Sequence, residues 1–438
     1  MSSILVRSRP GLAGWPAAGR ARERGNRALC FLLVVYLTTV VCEGPLRYGL
    51  VLVGAPNVLY VRDLIALGTL GYLFARGLVA DRWLDPLLTW LAAIFGLHAG
   101  IAMMLGLPTF QVLFGLKILM SVAYGMAMWR LIQPRFESAL TVAVMFYAIT
   151  LCGIAWNFFV GELPWEGMQY DNALATVATT RDWTAMGVRR LPGFARASIS
   201  AAMILGITGA LTMVWLEKSV YRATVALLTL LGIAATTTKG MLLAFPVVAT
   251  MLLFGVPQRG GRSGPGVVSA IAAATLTLPL LVILLDFSAA GTPRGLPALL
   301  TSAWDRFSSL WPRAFDLLPS GVAAVLGGGV GSIGTPQLFG NAPERYLPAD
   351  NLLIYTVVTF GLLGVLYYLI PAIASWRVLE REDGKVGKSY TALVLIAYCY
   401  GIAANMLEES FFAISLGCCL GVALLSAASA QEAVPSPA

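Results

Sequence analysis

Ala197–Trp215 reads ASISAAMILGITGALTMVW, nineteen residues without a charge. That is the length of a helix able to cross a bilayer, whose hydrocarbon core takes about 20 apolar residues. Outward from it, apolar runs recur at 28–42, 58–75, 84–105, 109–129 and 138–161 on one side, and at 220–235, 239–255, 266–287, 351–375, 389–405 and 409–428 on the other. Together they make twelve. The 438 residues are 58% hydrophobic and only 12% charged, with a mean hydropathy of +0.78, whereas about a quarter of a soluble domain is charged. The expected fold is all-α: a polytopic transmembrane helical bundle of about 12 spans. A single membrane domain is expected over 28–430, between an Arg-rich N-terminal tail, 1–27, and a short C-terminal tail, 431–438. So many spans leave no room for a receptor with one anchor and a large soluble domain.

The cations set an orientation. Arg7, Arg9, Arg20, Arg22, Arg24 and Arg27 precede the first run, which has no small-residue cleavage site and reads as an uncleaved span. Alternate threading from a cytoplasmic N-terminus puts Arg76, Arg82, Arg130, Arg135, Lys218, Arg222, Arg259, Arg262, Arg377, Arg381, Lys385 and Lys388 inside, as the positive-inside rule requires. Both termini are then cytoplasmic. The net charge of +8 reads as membrane orientation, and nucleic acid is not an expected partner.

The same threading leaves two long extracytoplasmic loops, about 162–196 and 288–350, too long to be mere connectors. They hold Arg181, Arg189, Arg190, Arg196, Arg294, Arg306, Arg313 and Arg345 with Trp165, Trp183, Trp304 and Trp311. One reading is that long loops escape the orientation rule and the tryptophans anchor at the interface. The other is an anionic ligand at the outer face, because guanidinium forks grip phosphate oxygens in pairs. If the second loop is helical, Arg306 and Arg313, seven apart, share a face.

Three motifs have competing readings. Gly329-Val330-Gly331-Ser332-Ile333-Gly334 fits G-x-G-x-x-G, but no strand–helix–strand unit surrounds it, so it reads as a flexible turn near the membrane whose amides are open to an anion. Thr236-Thr237-Thr238-Lys239-Gly240 opens the eighth run, where a helix start plus a lysine suits a phosphate and threonine caps with a snorkelling lysine are the alternative. Arg62, Asp63, Lys117, Asp286, Asp350, Glu408 and Glu409 lie in or beside apolar runs, where charges are paired or functional. Lys117 with an acid from another span and Arg62 with Asp63 are candidate ion pairs. Cys30, Cys42, Cys152, Cys399, Cys418 and Cys419 show no C-x-x-C spacing and read as packing residues. With one histidine, His98, chemistry that needs two is excluded.

Several local patterns, in order along the chain, resemble the membrane glycosyltransferases of the O-antigen ligase and polymerase superfamily, and among them the exopolysaccharide polymerase-like proteins. Glu43-Gly44-Pro45-Leu46-Arg47 followed by Arg62-Asp63 is similar to an E-G-x-L-R pattern with a later acid. Thr238-Lys239-Gly240 stands where the family has Ser-Arg-Gly. Asp305-Arg306 with Trp311 and Arg313 looks like its R-x-x-x-W loop, beside a glycine-rich Leu326–Gly334. Asp350-Asn351-Leu352-Leu353 running into Phe360-Gly361-Leu362-Leu363-Gly364 is similar to its H-N-x-x-L and G-L-x-G segments. The ligases keep a histidine, implicated as their base, where this chain has Asp350.

The resemblance implies transfer of a glycan from a polyprenyl pyrophosphate-linked oligosaccharide to an acceptor hydroxyl, at the outer face of a bacterial inner membrane. Cations then stabilise the departing pyrophosphate; the candidates for gripping pyrophosphate and glycan are Arg306, Arg313, Arg189, Arg190, Lys239 and Asn351. Asp350, with Glu344 second, is the expected catalytic carboxylate. No metal and no cofactor are expected; a chain-length regulator and export proteins are the implied partners. Rival readings are a ligase moving a finished glycan to another acceptor and a flippase or secondary transporter.

Overall fold

The computed structural model describes residues 16–80, 86–171, 176–180, 184–185, 188–255, 263–285, 287, 298–321, 323–382 and 384–431. Asp286, Arg181, Trp183, Arg259, Arg262 and Arg294 lie outside them. The chain is mostly helical. It begins with α1 (Pro16–Val41), α2 (Glu43–Leu52), α3 (Val61–Ala80), α4 (Pro86–Met104), α5 (Thr109–Ile132) and α6 (Phe136–Val160). Two short antiparallel pairs follow, β1 (Gln169–Asp171) with β2 (Thr176–Ala178) and β3 (Thr184–Ala185) with β4 (Val188–Arg189). Then come α7 (Ser198–Trp215), α8 (Ser219–Ala235), α9 (Lys239–Phe254) and α10 (Ser263–Leu284). The second long connection holds α11 (Ala298–Asp305), α12 (Trp311–Phe315) and α13 (Ala323–Leu326). The chain closes with α14 (Leu352–Phe360), α15 (Leu362–Arg381), α16 (Lys385–Gly401) and α17 (Ser410–Gln431).

Helix therefore lies over each of the twelve apolar runs. Six described stretches are long and apolar enough to cross a membrane: Glu23–Val41, Pro56–Arg76, Thr109–Val160, Ser198–Trp215, Gly264–Leu284 and Leu362–Arg381. Their surroundings differ. Ser198–Trp215, where the sequence reading began, is 83% buried, while Pro56–Arg76 is only 17% buried. The first is the centre of the bundle. On the outer helices large apolar side chains such as Phe159, Leu243 and Phe254 point away from the protein, which suits a hydrocarbon solvent and would be costly in water.

Helix contacts rest on small residues, as expected where lipid removes most of the hydrophobic drive between helices. A Cβ on Gly125 would lie 2.1 Å from the Ile414 carbonyl oxygen, and one on Gly417 2.2 Å from that of Val122. So α5 and α17 touch backbone to backbone. The cysteines are free thiols; Cys418 sits on this same seam, its Sγ 3.5 Å from the Gly125 carbonyl.

The tenth run is not one helix. Gly361, at φ +62°, breaks it into α14 and α15, leaving α14 carbonyls without helical partners inside the apolar layer. Exposed backbone there is untenable unless protein satisfies it. The glycine-rich stretch does so: Gly328 N donates to Val358 O at 2.8 Å and Gly329 N to Thr359 O at 3.0 Å, while Val330 N donates to His98 O at 3.1 Å. Gln111 Nε2 donates to Gly331 O at 2.8 Å. Only glycine allows such approach, since a Cβ on Gly329 would meet Ala102 N at 2.5 Å and one on Gly361 the Ala324 O at 2.4 Å. Of the amides in the Gly329–Gly334 motif that were expected to be open to an anion, those of Gly329 and Val330 are thus taken by helix carbonyls and that of Ser332 by Gly329 O at 3.3 Å. The His98 ring packs edge-on against Phe360 at 4.8 Å.

Candidate functional site: a polar cluster at the helix ends

Asp350 and Asn351 lead into α14. Asn351 is the helix N-cap, its Oδ1 accepting from Ile354 N at 3.1 Å while its Nδ2 donates to Ile402 O at 3.2 Å. Both polar ends of that side chain hold the fold, and the residue is buried, so it offers nothing to a substrate. What it does is place Asp350 at the mouth of the bundle. There Arg306 Nη2 lies 3.3 Å from Asp350 Oδ2, the two side chains 23% and 33% exposed.

Arg306 reaches Asp350 because residues 306–310 form a π-helical turn between α11 and α12. A π turn holds more residues than an α turn, so residues seven apart no longer share a face. Arg306 is half-buried and Arg313 is exposed; the expected guanidinium pair is not formed.

The threonine corner before α9 joins the same region. Arg190 Nε donates to Thr237 Oγ1 at 3.0 Å, and Thr236 Oγ1 to Thr238 Oγ1 at 3.0 Å. Thr237 has φ +55°, the one non-glycine residue with positive φ among the described residues. For a β-branched side chain that is a strained conformation of about 1–3 kcal/mol, held here by the Arg190 contact and the two flanking threonines. Gly240 fits under Tyr400, whose ring a Cβ would meet at 2.9 Å. The Tyr400 phenol in turn lies within electrostatic reach of Glu409, Arg190, Arg306 and Asp350. Burial draws the Arg190 guanidinium below its usual value, with Tyr400 opposing. Lys239 is half-buried at the start of α9.

Two more carboxylates close the cluster. Glu409 Oε1 accepts from Ser200 Oγ of α7 at 3.0 Å. Glu408 accepts from both the amide of Thr335, at 3.0 Å, and its hydroxyl, with Asn405 Nδ2 at 3.4 Å. Gly334, at φ +80°, makes room for it. Glu408 thereby ties the glycine-rich stretch to the site. The sequence marked both glutamates as membrane-edge charges without assigning them to the site; Tyr400, Ser200 and Thr335 had no signal at all.

Besides Arg313, two expected site residues lie elsewhere. Arg189 is bound to Glu166, Nη2 to Oε2 at 2.5 Å, and to Gly161 O at 3.0 Å. Glu344 is exposed in the 3₁₀ turn Pro343–Arg345.

A second ionic network is built on Glu43. Its carboxylate meets Arg47 at 2.6 Å, Arg62 at 2.7 Å and Arg196 at 3.9 Å. Asp63 meets Arg62 at 3.9 Å and Lys117 of α5 at 2.8 Å, the two ion pairs read from the sequence. Burial alone would push the Glu43 carboxyl up, but Arg62, Arg47 and Arg196 outweigh it and hold the group far below the usual carboxylate range. At the centre of the network the Glu43 carboxylate is buried and paired with Arg47 and Arg62, which suits a structural clamp joining α2, α3, α5 and the first long connection.

Neither a protein-family model nor a curated protein matches the chain. The fold itself defines a helical protein with several helices apolar and long enough to cross a membrane.

Proposed function

We propose that this chain is a membrane glycosyltransferase of the O-antigen ligase and polymerase kind, closest in reading to an exopolysaccharide polymerase, with about twelve spans in a bacterial inner membrane and both termini cytoplasmic. It transfers a glycan repeat unit from a polyprenyl pyrophosphate carrier to the hydroxyl of a growing chain at the outer face. The observation that carries this reading is the Arg306–Asp350 pair, which with Arg190 lies within electrostatic reach of Tyr400: groups for both halves of such a transfer lie in one region.

In the reaction the acceptor oxygen attacks the anomeric carbon, the bond from that carbon to the pyrophosphate oxygen breaks, and the acceptor proton goes to a carboxylate. Displacement from the opposite face inverts the anomeric centre. Arg306, Arg190 and Lys239 stabilise charge growing on the departing pyrophosphate. As the pyrophosphate takes hold of Arg306, the Asp350 carboxylate is released from the ion pair and is free to face the acceptor hydroxyl. The partly exposed ion pair suits such an exchange.

The test is purified protein supplied with lipid-linked repeat units. Polymer is expected, lost with Asp350→Asn. Full-length polymer passed to a different acceptor would point to a ligase. The broken α14–α15 helix gives a flippase one point in favour, since transporters use such breaks as binding sites. Here the α14 end of the break is occupied by Gly328 and Gly329 amides. Repeat units confined to the cytoplasmic leaflet of a deletion strain would nonetheless establish the flippase and sink the enzyme.

A further inference from the structure

A cavity of about 510 Å³ runs between α4, α5, α14, α15, α16 and α17, walled almost entirely by apolar side chains such as Phe95, Leu119, Tyr367 and Leu420. Its two ends differ. One is closed by Leu352 and Leu407, beneath the polar cluster, and none of that cluster's charged groups lines it. The other ends at Arg130, the only charged residue in the lining among the described residues, with Trp90 and Leu424 at the rim. Arg130 is exposed in the last turn of α5; Trp90 is 70% and Leu424 43% exposed. The cations Arg135 and Lys385 on this side of the bundle are paired with acids, 4.0 Å from Glu23 and 2.9 Å from Glu137, and neither lines the groove. An apolar slot with an arginine and an exposed tryptophan at its mouth has the polarity of an amphiphile whose head is anionic and whose tail points into the protein.

We infer that this groove is a binding site for an anionic diacyl phospholipid of the leaflet facing Arg130, the cytoplasmic one in the threading above. One acyl chain fills the slot, the phosphate meets Arg130, and the Trp90 ring sits at headgroup level. Leu352 and Leu407 close the groove beneath the polar cluster and so separate it from a lipid carrier handled there, whereas Arg130 stands at the open end. The inference does not depend on the transfer reaction proposed above.

The experiment compares phosphatidylglycerol with phosphatidylcholine of identical chains, added to delipidated protein, by thermal shift and by native mass spectrometry of retained lipid. Wild type is expected to keep one phosphatidylglycerol, with at least a tenfold preference over phosphatidylcholine. Arg130→Gln should abolish the preference and Arg130→Lys restore most of it. Leu424→Trp, at an already exposed position, should narrow the mouth and reduce retention of either lipid at least tenfold, so the proposal stays testable if Arg130→Gln fails to fold. Equal retention of the two phospholipids by wild type, or unchanged retention by Leu424→Trp, would overturn it. So would polyprenyl phosphate displacing the phospholipid at equal concentration, which would assign the groove to the carrier's tail.

Discussion

Arg306 Nη2 lies 3.3 Å from Asp350 Oδ2 across residues 44 positions apart, with both side chains partly open to solvent. Such a pair adds only about 0–1 kcal/mol to stability. Helix capping falls to Asn351, not to Asp350. Asp350→Asn is therefore expected to leave melting temperature nearly unchanged while lowering polymer formation about a hundredfold to ten-thousandfold, the usual cost of losing a positioned base. A purified Asp350→Asn protein with near-normal product would transfer the role to Glu408 or Glu409.

The arginines separate. Arg306→Lys keeps a charge and loses the planar fork, so its transfer rate should fall by tenfold or more at normal membrane abundance. Arg313→Lys, on the exposed face beyond the π turn, should change the rate less than threefold. Rates measured side by side with lipid-linked repeat units decide it; equal losses would return Arg313 to the site.

Thr237 sits at φ +55° with Arg190 on its hydroxyl. Glycine relieves that strain, worth about 1 kcal/mol or more, and removes the contact that aims Arg190. Thr237→Gly should therefore hold or raise the melting temperature while activity drops. Thr237→Ser keeps the hydroxyl and should retain more activity than Thr237→Gly. A glycine variant with full activity would make the strain purely structural.

Asn351→Ala takes away the α14 cap and the bond to Ile402 O. A lost cap costs about 1 kcal/mol, and the Ile402 carbonyl, which is half-buried, loses its partner as well. The expected result is a lower melting temperature together with lower activity, unlike Asp350→Asn. An Asn351→Ala protein as stable as wild type would contradict the cap.

Glu43 is the anion among three guanidinium groups. Its folded pKa is depressed, so its stabilisation is complete above the unfolded carboxyl value near 4.3 and is lost only as pH falls toward the folded value. Thermal stability attributable to Glu43, measured as wild type minus Glu43→Gln, should be flat from about pH 5 upward and shrink below about pH 4. Glu43→Gln leaves buried cations uncompensated and should cost about 3–5 kcal/mol at neutral pH. A Gln variant of wild-type stability would show that the network does not clamp the helices.

Helical character was legible in the sequence because bilayer solvent imposes a simple rule: about twenty apolar residues in a row must satisfy their own backbone. Each of the twelve runs could be marked without knowing a single neighbour. That Arg62 pairs with Asp63 and that Lys117 finds an acid from another span were foreseeable for the same reason, since a charge in an apolar run must find another; that this acid is Asp63 came from the structure. What the runs could not reveal is which of them sits inside the bundle, for lipid and protein interior are equally apolar. Only the tertiary structure placed Ser198–Trp215 at the centre. It alone showed that Gly361 breaks a helix whose carbonyls are met by amides some thirty residues earlier in the chain, and that a π turn parts Arg306 from Arg313. It alone brought Arg190, Arg306, Asp350, Tyr400 and Glu409 together. Periodicity and hydropathy are properties of neighbours along the chain, whereas these contacts join residues tens to hundreds of positions apart and exist only once the helices have packed.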